Sequence, residues 1–273
     1  MLPEVKTFWL PKQGNTAEEY EDAFSFSISA RRFGMADGAT ESSFADIWAR
    51  RLAESFAQTP PEGTDLDSWL GPLQAEWRSS VPWDRLPWFA EEKAKNGAFS
   101  TLLGLELMSA PPPPPAPPPP PKVGFWTRLF GVTPQIAPVQ VPEGPSWRAV
   151  SVGDSCLFQV RGDRLLRAFP NDKAEQFNAR PLLLCSNPSW NHTVRHAVKA
   201  VQGPREPGDA FLLATDALSH WFLTQHEAGK KPWNVLFELR AESDFESFVS
   251  IKRKEGNLKN DDTTLMVVRW QSA

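Results

Sequence analysis

The sequence predicts an α+β fold built on largely antiparallel sheet, and three observations lead there. Apolar–polar alternation, the mark of a half-buried strand, recurs in both halves, with helical patterns clustered after the strands instead of alternating with them one for one. No glycine-rich phosphate loop of either common type is present. The proline excess belongs to one segment: of 27 prolines, 14 lie between Pro111 and Pro145, so the rest of the chain is ordinary in this respect.

The elements follow in order. Phe24-Ser-Phe-Ser-Ile-Ser29 alternates as a strand does, and Phe33 to Ala36 reads as its hairpin partner. Ser43 precedes a helical pattern with Phe44, Ile47, Trp48, Leu52 and Phe56 on one face, and Asp46 at the third position fits a capping arrangement. Two more helices are expected near Leu66–Ser79 and Trp88–Lys95, and strands at Ala98–Met108 and Trp147–Val152 flank the proline-rich stretch. That placement makes residues 109–146 an enlarged hairpin loop and 1–273 a single domain. Further on, strands are expected at Cys156–Val160, Leu165–Phe169, Ala210–Ala214 and Thr264–Trp270. Helices are expected at Leu218–Gln225, Asn234–Leu239 and Phe245–Lys254.

Pro111 to Pro121 reads PPPPPAPPPPP, which suits neither helix interior nor central strand because each ring fixes φ and removes a donor. A stiff polyproline II rod rising about 3.1 Å per residue, roughly 34 Å in all, is the expected form. It reads as a spacer or, more sharply, as a docking segment at 111–121 for a proline-recognising partner.

Composition excludes several classes. With 41% apolar residues the chain can bury a full core, and 29 Lys+Arg against 33 Asp+Glu leave a net charge of −4. No field favours nucleic acid or an anionic membrane surface, so neither is an expected partner. Two cysteines, Cys156 and Cys185, are too few for a disulfide framework or a cysteine-based zinc site and point to a reducing compartment. The first residues lack the apolar region of a signal peptide, and no run approaches the ~18 apolar residues of a membrane span. A soluble, cytoplasmic protein is the expectation.

Carboxylates gather at the expected strand ends. Glu21-Asp22 opens a strand; Asp37-Gly38, Gly153-Asp154-Ser155, Thr215-Asp216 and Asp261-Asp262-Thr-Thr264 each abut apolar strand sequence. Singly, each reads as turn or cap chemistry. On the rims of a packed sheet they can converge, and converging carboxylates call for a cation among them. Oxygen-only ligation selects Mg²⁺ or Mn²⁺, and two such ions sharing one aspartate can activate a water for in-line attack on phosphorus.

In this order the motifs resemble those of the metal-dependent type 2C protein phosphatases, especially their bacterial branch. The matching strings are Glu21-Asp-Ala-Phe24, Ala36-Asp-Gly-Ala-Thr40, Gly97-Ala-Phe-Ser-Thr101, Val152-Gly-Asp-Ser155, Gly208-Asp-Ala-Phe-Leu-Leu-Ala-Thr-Asp216 and Asp261-Asp-Thr-Thr264. The resemblance implies a four-layer α-β-β-α sandwich, two central antiparallel sheets with helices on both outer faces. It implies that Asp37 bridges two metals, that the Gly38 carbonyl ligates one, and that Asp216 and Asp261 ligate the other. Glu21 and Asp22 match positions that hold metal-bound waters, Asp154 joins Asp216 in a weaker third metal site, and residues 167–207 fall where the family carries a flap over the site. The implied activity is dephosphorylation of protein serine or threonine with no phosphoenzyme, with a phosphoprotein substrate and a cognate Ser/Thr kinase as partners.

Three departures stand out. The family's phosphate-gripping arginine has Lys12 as its stand-in, a point charge instead of a bidentate fork; the bland alternative is a solvated surface lysine. The histidine proposed in the family as general acid is absent from Asp37-Gly-Ala-Thr40, which leaves that proton to water at the metals. Ala217 follows Asp216 where glycine is usual, a change compatible with a helix starting at that aspartate. His192 and His196 have the i,i+4 spacing of a helical metal pair but no acidic partner, so they read as surface residues; His220 and His226 read as structural. Cys156 reads as a buried core residue, and the twelve tryptophans as packing, with Trp9, Trp126 and Trp190 exposed. Two other functions stay open: a catalytically weak phosphoprotein-binding scaffold acting through its proline-rich insert, and a phosphatase of a small phosphorylated metabolite.

Overall fold

The computed structural model describes residues 2–63, 66–110, 144–178 and 180–270. The proline run 111–121 and Trp126 lie outside the described residues. Two antiparallel sheets carry the fold. In spatial order the first holds Glu4–Leu10 (β1), Thr263–Arg269 (β12), Asp209–Ala214 (β11), Cys156–Arg161 (β7) and Arg164–Phe169 (β8). The second holds Lys199–Pro204 (β10), Ser146–Val152 (β6), Leu102–Met108 (β5), Arg32–Ala36 (β3) and Ala23–Ser27 (β2). A small pair, Phe99–Ser100 (β4) with Leu184–Cys185 (β9), stands apart.

The sheets pack face to face. Phe33, Met35, Leu103, Leu105 and Trp147 of the second sheet meet Leu157, Phe211, Leu213, Met266 and Val268 of the first. Because side chains alternate along a strand, Leu212 turns to the opposite face and packs with the helices Asp216–Glu227 (α4), Pro232–Glu238 (α5) and Glu242–Lys254 (α6). Phe158, on the same outer face, stacks on Phe222 of α4 with ring centroids 3.9 Å apart. Covered on both sides, β11 is buried throughout, which explains why Ala210–Ala214 reads as an unbroken apolar run.

Helices Ala45–Gln58 (α1) and Asp67–Ser80 (α2) cover the second sheet, and Trp88–Lys95 (α3) follows them. Trp48, Leu52 and Phe56 bury one face of α1 as their spacing predicts, with Ala45, Ala49, Ala53 and Ala57 beside them. The close approach is set by Gly34 and Gly104, register partners on β3 and β5: a Cβ on the first would strike the Ala53 carbonyl, and one on the second the Phe56 ring. The α-β-β-α sandwich implied by the sequence is therefore the observed architecture.

Several local expectations need correcting. Ala98–Met108 is not one strand: Thr101 separates β4, which pairs with β9, from β5, which joins the large sheet. Ser43 does not cap α1; the cap is Phe44 in the left-handed conformation (φ 59°), whose carbonyl accepts hydrogen bonds from Trp48 N and Trp77 Nε1. Strands β1, β9 and β10 were not anticipated. Trp9 is half-buried, its ring 4.7 Å from that of Tyr20, while Trp190 is exposed as expected. The stretch Pro188–His196 is 3-10 helix, so the i,i+4 geometry of an α-helical histidine pair does not arise; His192 is exposed. His220 is also exposed, beside the Phe177 ring, and His226 is half-buried against Trp233. Cys156 and Cys185 are both buried and free, and burial pushes their thiols up to about 12 and about 11.

Candidate active site at the acidic rim

Strand register carries the acidic motifs to one end of the sandwich. Ala214 pairs with Leu265 and with Cys156, so Asp216, Asp261 and Asp154 leave their strands side by side. Ala23 pairs with Ala36, which sets Asp22 beside Asp37. Val152 pairs with Leu102 and Leu103 with Met35, so the Gly153-Asp154-Ser155 turn lies next to Thr101 and Asp37. That turn joins β6 to β7, crossing from one sheet to the other. Leu10 pairs with Thr263, and this brings Lys12 to the same rim.

On the β2–β3 side the groups are pinned. Asp37 N donates to Thr101 Oγ1 (2.9 Å), while Ser100 Oγ and Thr101 N donate to the Asp37 carbonyl (2.8 and 2.9 Å). Thr101 Oγ1 in turn contacts Ser155 Oγ at 2.9 Å, tying in the crossing turn. Gly38 N donates to the Glu21 carbonyl, and a Cβ at Gly38 would lie 2.6 Å from that oxygen, so only glycine fits. Asp22 accepts from Thr264 Oγ1 (2.6 Å) through one oxygen; its other oxygen is buried with no hydrogen-bond partner. The Thr264 hydroxyl also meets the Tyr20 hydroxyl.

Asp262, which the sequence offered only as the second residue of a motif, is a tether. Its Oδ1 accepts from Lys12 N (2.8 Å) and its Oδ2 from Glu21 N (2.7 Å), so one buried carboxylate holds both segments that enter the site. Lys12 is not a solvated surface residue. Its Nζ donates to Thr40 Oγ1 (3.1 Å), lies 3.8 Å from Glu21 Oε2, and its side chain is 20% exposed.

The α4 side is organised differently. Asp216 is the first residue of α4, which starts without strain at Ala217, and Asp261 lies in the turn before β12. Between them sits Lys259, which sequence reasoning missed: its Nζ is 2.6 Å from Asp261 Oδ2 and 3.2 Å from Asp216 Oδ2. Nothing in the sequence links Lys259 to Asp216, 43 positions earlier. Burial works against the Lys259 charge, but the hydrogen bond to Asp261 and the two carboxylate charges outweigh it and hold the ammonium above the ordinary lysine range.

The aspartates raise one another. Burial, then the charges of Asp22, Asp216, Asp154 and Asp261, push the Asp37 carboxyl well above the aspartate range. Burial does the same to Asp22, against the opposing hydrogen bond from Thr264. Asp154 is pushed up to about 6 by burial and by Asp216, and Asp216 rises through burial despite Lys259. A set of oxygen donors that destabilise one another's charge, with two buried carboxylate oxygens, Asp22 Oδ1 and Glu21 Oε2, lacking a hydrogen-bond partner, fits a hard divalent cation in kind. As the side chains stand, however, no group of three or more His, Cys, Asp or Glu among the described residues closes into a ready metal cluster. The donors share a rim without enclosing a point, and Lys259 is the cation in contact with two of them.

No protein-family model and no curated protein matches the chain. Solved structures do. The catalytic domain of the serine/threonine protein phosphatase PstP, in complex with two manganese ions, superposes with a TM-score of 0.56 at 15% identity, over 98% of this chain and 98% of that one. PppA, described as a key regulatory component of T6SS in Pseudomonas aeruginosa, gives 0.51 at 16% identity, again over 98% of each chain. The photosystem II phosphatase PBCP gives 0.54 at 12% identity over 99% of this chain and 100% of that one. The fold is that of the bacterial-type PPM serine/threonine phosphatases. Among the described residues, no helix is long and apolar enough to cross a membrane.

Proposed function

We propose that this chain is a metal-dependent phosphatase that hydrolyses phosphate monoesters on serine or threonine of a protein, without a phosphoenzyme. The observation that carries the reading is the register: five separate strand ends deliver Glu21-Asp22, Asp37-Gly38, Asp154, Asp216 and Asp261 to one rim. Asp37 and the Gly38 carbonyl would hold one Mg²⁺ or Mn²⁺ ion and Asp37, Asp216 and Asp261 a second, with Glu21 and Asp22 behind them and Asp154 serving a weaker third. Such ions, when bound, supply the positive charge that acidifies a water and shields a phosphoryl group.

The chain's own residues set the rest. Lys12 presents a cation on the β2 side of the rim, where a substrate phosphate would be gripped. Thr101 and Ser100 fix the Asp37 backbone, and Asp262 fixes the entry of Lys12 and Glu21. Within the expected 167–207, residues 167–169 and 199–204 belong to β8 and β10, so the flap that shapes access would come from the chain between those strands. A cognate Ser/Thr kinase would supply the substrate, and the proline run 111–121 would serve as spacer or docking segment.

The test is hydrolysis of p-nitrophenyl phosphate by the full chain with Mn²⁺, with Mg²⁺ and with EDTA. Metal-dependent turnover that falls by roughly a hundredfold or more in both Asp37→Ala and Asp216→Ala is the expected result. Turnover that survives EDTA or both substitutions would end the reading. A second reading, a catalytically weak phosphoprotein-binding protein, is favoured by one observation, the Lys259 ammonium on two of the proposed ligands. Phosphopeptide binding by a wild type silent with either metal would put it first.

A further inference from the structure

Lys259 is placed, not stray. Leu258 before it is buried in the core beneath α6, and Asn260 after it is clamped to Gln13, accepting from Gln13 N (2.6 Å) and donating to its carbonyl (3.3 Å). Asp261 N closes the turn on the Lys259 carbonyl at 3.1 Å. The backbone at 259 is therefore held on both sides, while the side chain, 61% exposed, lies on the surface of the rim with room to leave it. Its ammonium contacts Asp216 Oδ2 and Asp261 Oδ2, two of the oxygens a divalent ion on that side would need. An ammonium lying between these two oxygens takes the place that an ion bonded to both would fill.

Resting on the metal-dependent reading above, we propose that Lys259 is a resident counter-cation of the rim: it holds the Asp216–Asp261 pair in the metal-free protein and is displaced when a divalent ion takes that pair. The two sides of the rim then differ in metal affinity. Among the described residues the Asp37–Gly38 side faces no such competitor; Lys12, the cation beside it, contacts Glu21 and Thr40. The Asp216–Asp261 side binds only against the lysine. A long flexible stem makes the displacement a side-chain swing that needs no backbone movement.

The experiment is calorimetric titration of Mn²⁺ into the full-length chain, comparing wild type with Lys259→Gln and Lys259→Arg. With the side chain 61% exposed, both variants are expected to fold as the wild type does. In the wild type, the two principal sites should give one tighter and one weaker binding event, both ahead of the still weaker Asp154 site. Lys259→Gln should tighten the weaker event by roughly tenfold, while Lys259→Arg, which keeps the charge, should leave it at or below the wild-type affinity. Equal affinities in all three chains overturn the proposal and leave the metal reading standing. So does tightening in the arginine variant as large as in the glutamine variant. If none of the three binds Mn²⁺, the metal reading falls and the proposal falls with it.

Discussion

The two sides of the acidic rim are built by different means. On the β2–β3 side, Asp22 and Asp262 are buried, their carboxylates accepting from a threonine hydroxyl and from the amides of two chain segments, and the Asp37 backbone is pinned by Ser100 and Thr101. On the α4 side, Asp216 and Asp261 are partly exposed, and what joins them is one lysine on a four-carbon stem. The contrast separates two tasks that a polar site has to perform. Fixed hydrogen bonds set position and survive burial; a solvent-facing ion pair sets charge balance and can be exchanged for another cation.

Asp262→Ala leaves the amides of Lys12 and Glu21 without their shared acceptor. A loss of about 2–4 kcal/mol in urea unfolding is expected, against less than about 1 kcal/mol for Lys259→Gln in the same titration. Similar losses for both would erase the distinction. Thr264→Val, nearly isosteric, removes the hydrogen bond to Asp22 and should cost about 1–2 kcal/mol. A neutral result would mean that Asp22 finds another donor. The smallest effect concerns the thiols. Burial raises both, so lowering pH keeps them protonated and raising it through about 11 and about 12 ionises them. At pH 8 both therefore stay in the thiol form. Native protein should show no rapid reaction with a disulfide reagent, and denatured protein two thiols per chain; fast labelling of Cys185 would reveal opening at β9.

Much of this was legible. The α1 face, the carboxylates beside apolar strand ends, and the β5–β6 pairing across the proline-rich stretch follow from local pattern, because burial of one face imposes its period on the sequence. Edge and miniature strands left weaker marks. The β10 segment Lys199–Pro204 is exposed along most of its length, and β4 and β9 have two residues each, too few for any period to appear. The Ser43 cap failed because a tertiary contact, the Trp77 indole on the Phe44 carbonyl, fixes where α1 begins. The tether role of Asp262 and the bridging role of Lys259 were missed for a related reason: Asp262 holds amides 241 and 250 positions away and Lys259 reaches Asp216 43 positions away, and no local spacing announces a contact made only after the strands have paired.

The crossing turn at Gly153-Asp154-Ser155 has a consequence for how the interior and the rim communicate. Asp22 and Asp37 ride on one sheet, Asp216 and Asp261 on the other, and Asp154 sits in the short turn that carries the chain from β6 of one sheet to β7 of the other. The spacing of the carboxylates is therefore a caliper reading of how the two sheets are stacked. A slip of one sheet over the other by a fraction of an ångström, of the sort a changed side-chain volume at Met35 or Leu213 produces, opens or closes the jaws at a distance. Selection on the greasy middle of this molecule and selection on its chemistry are, to that extent, the same selection.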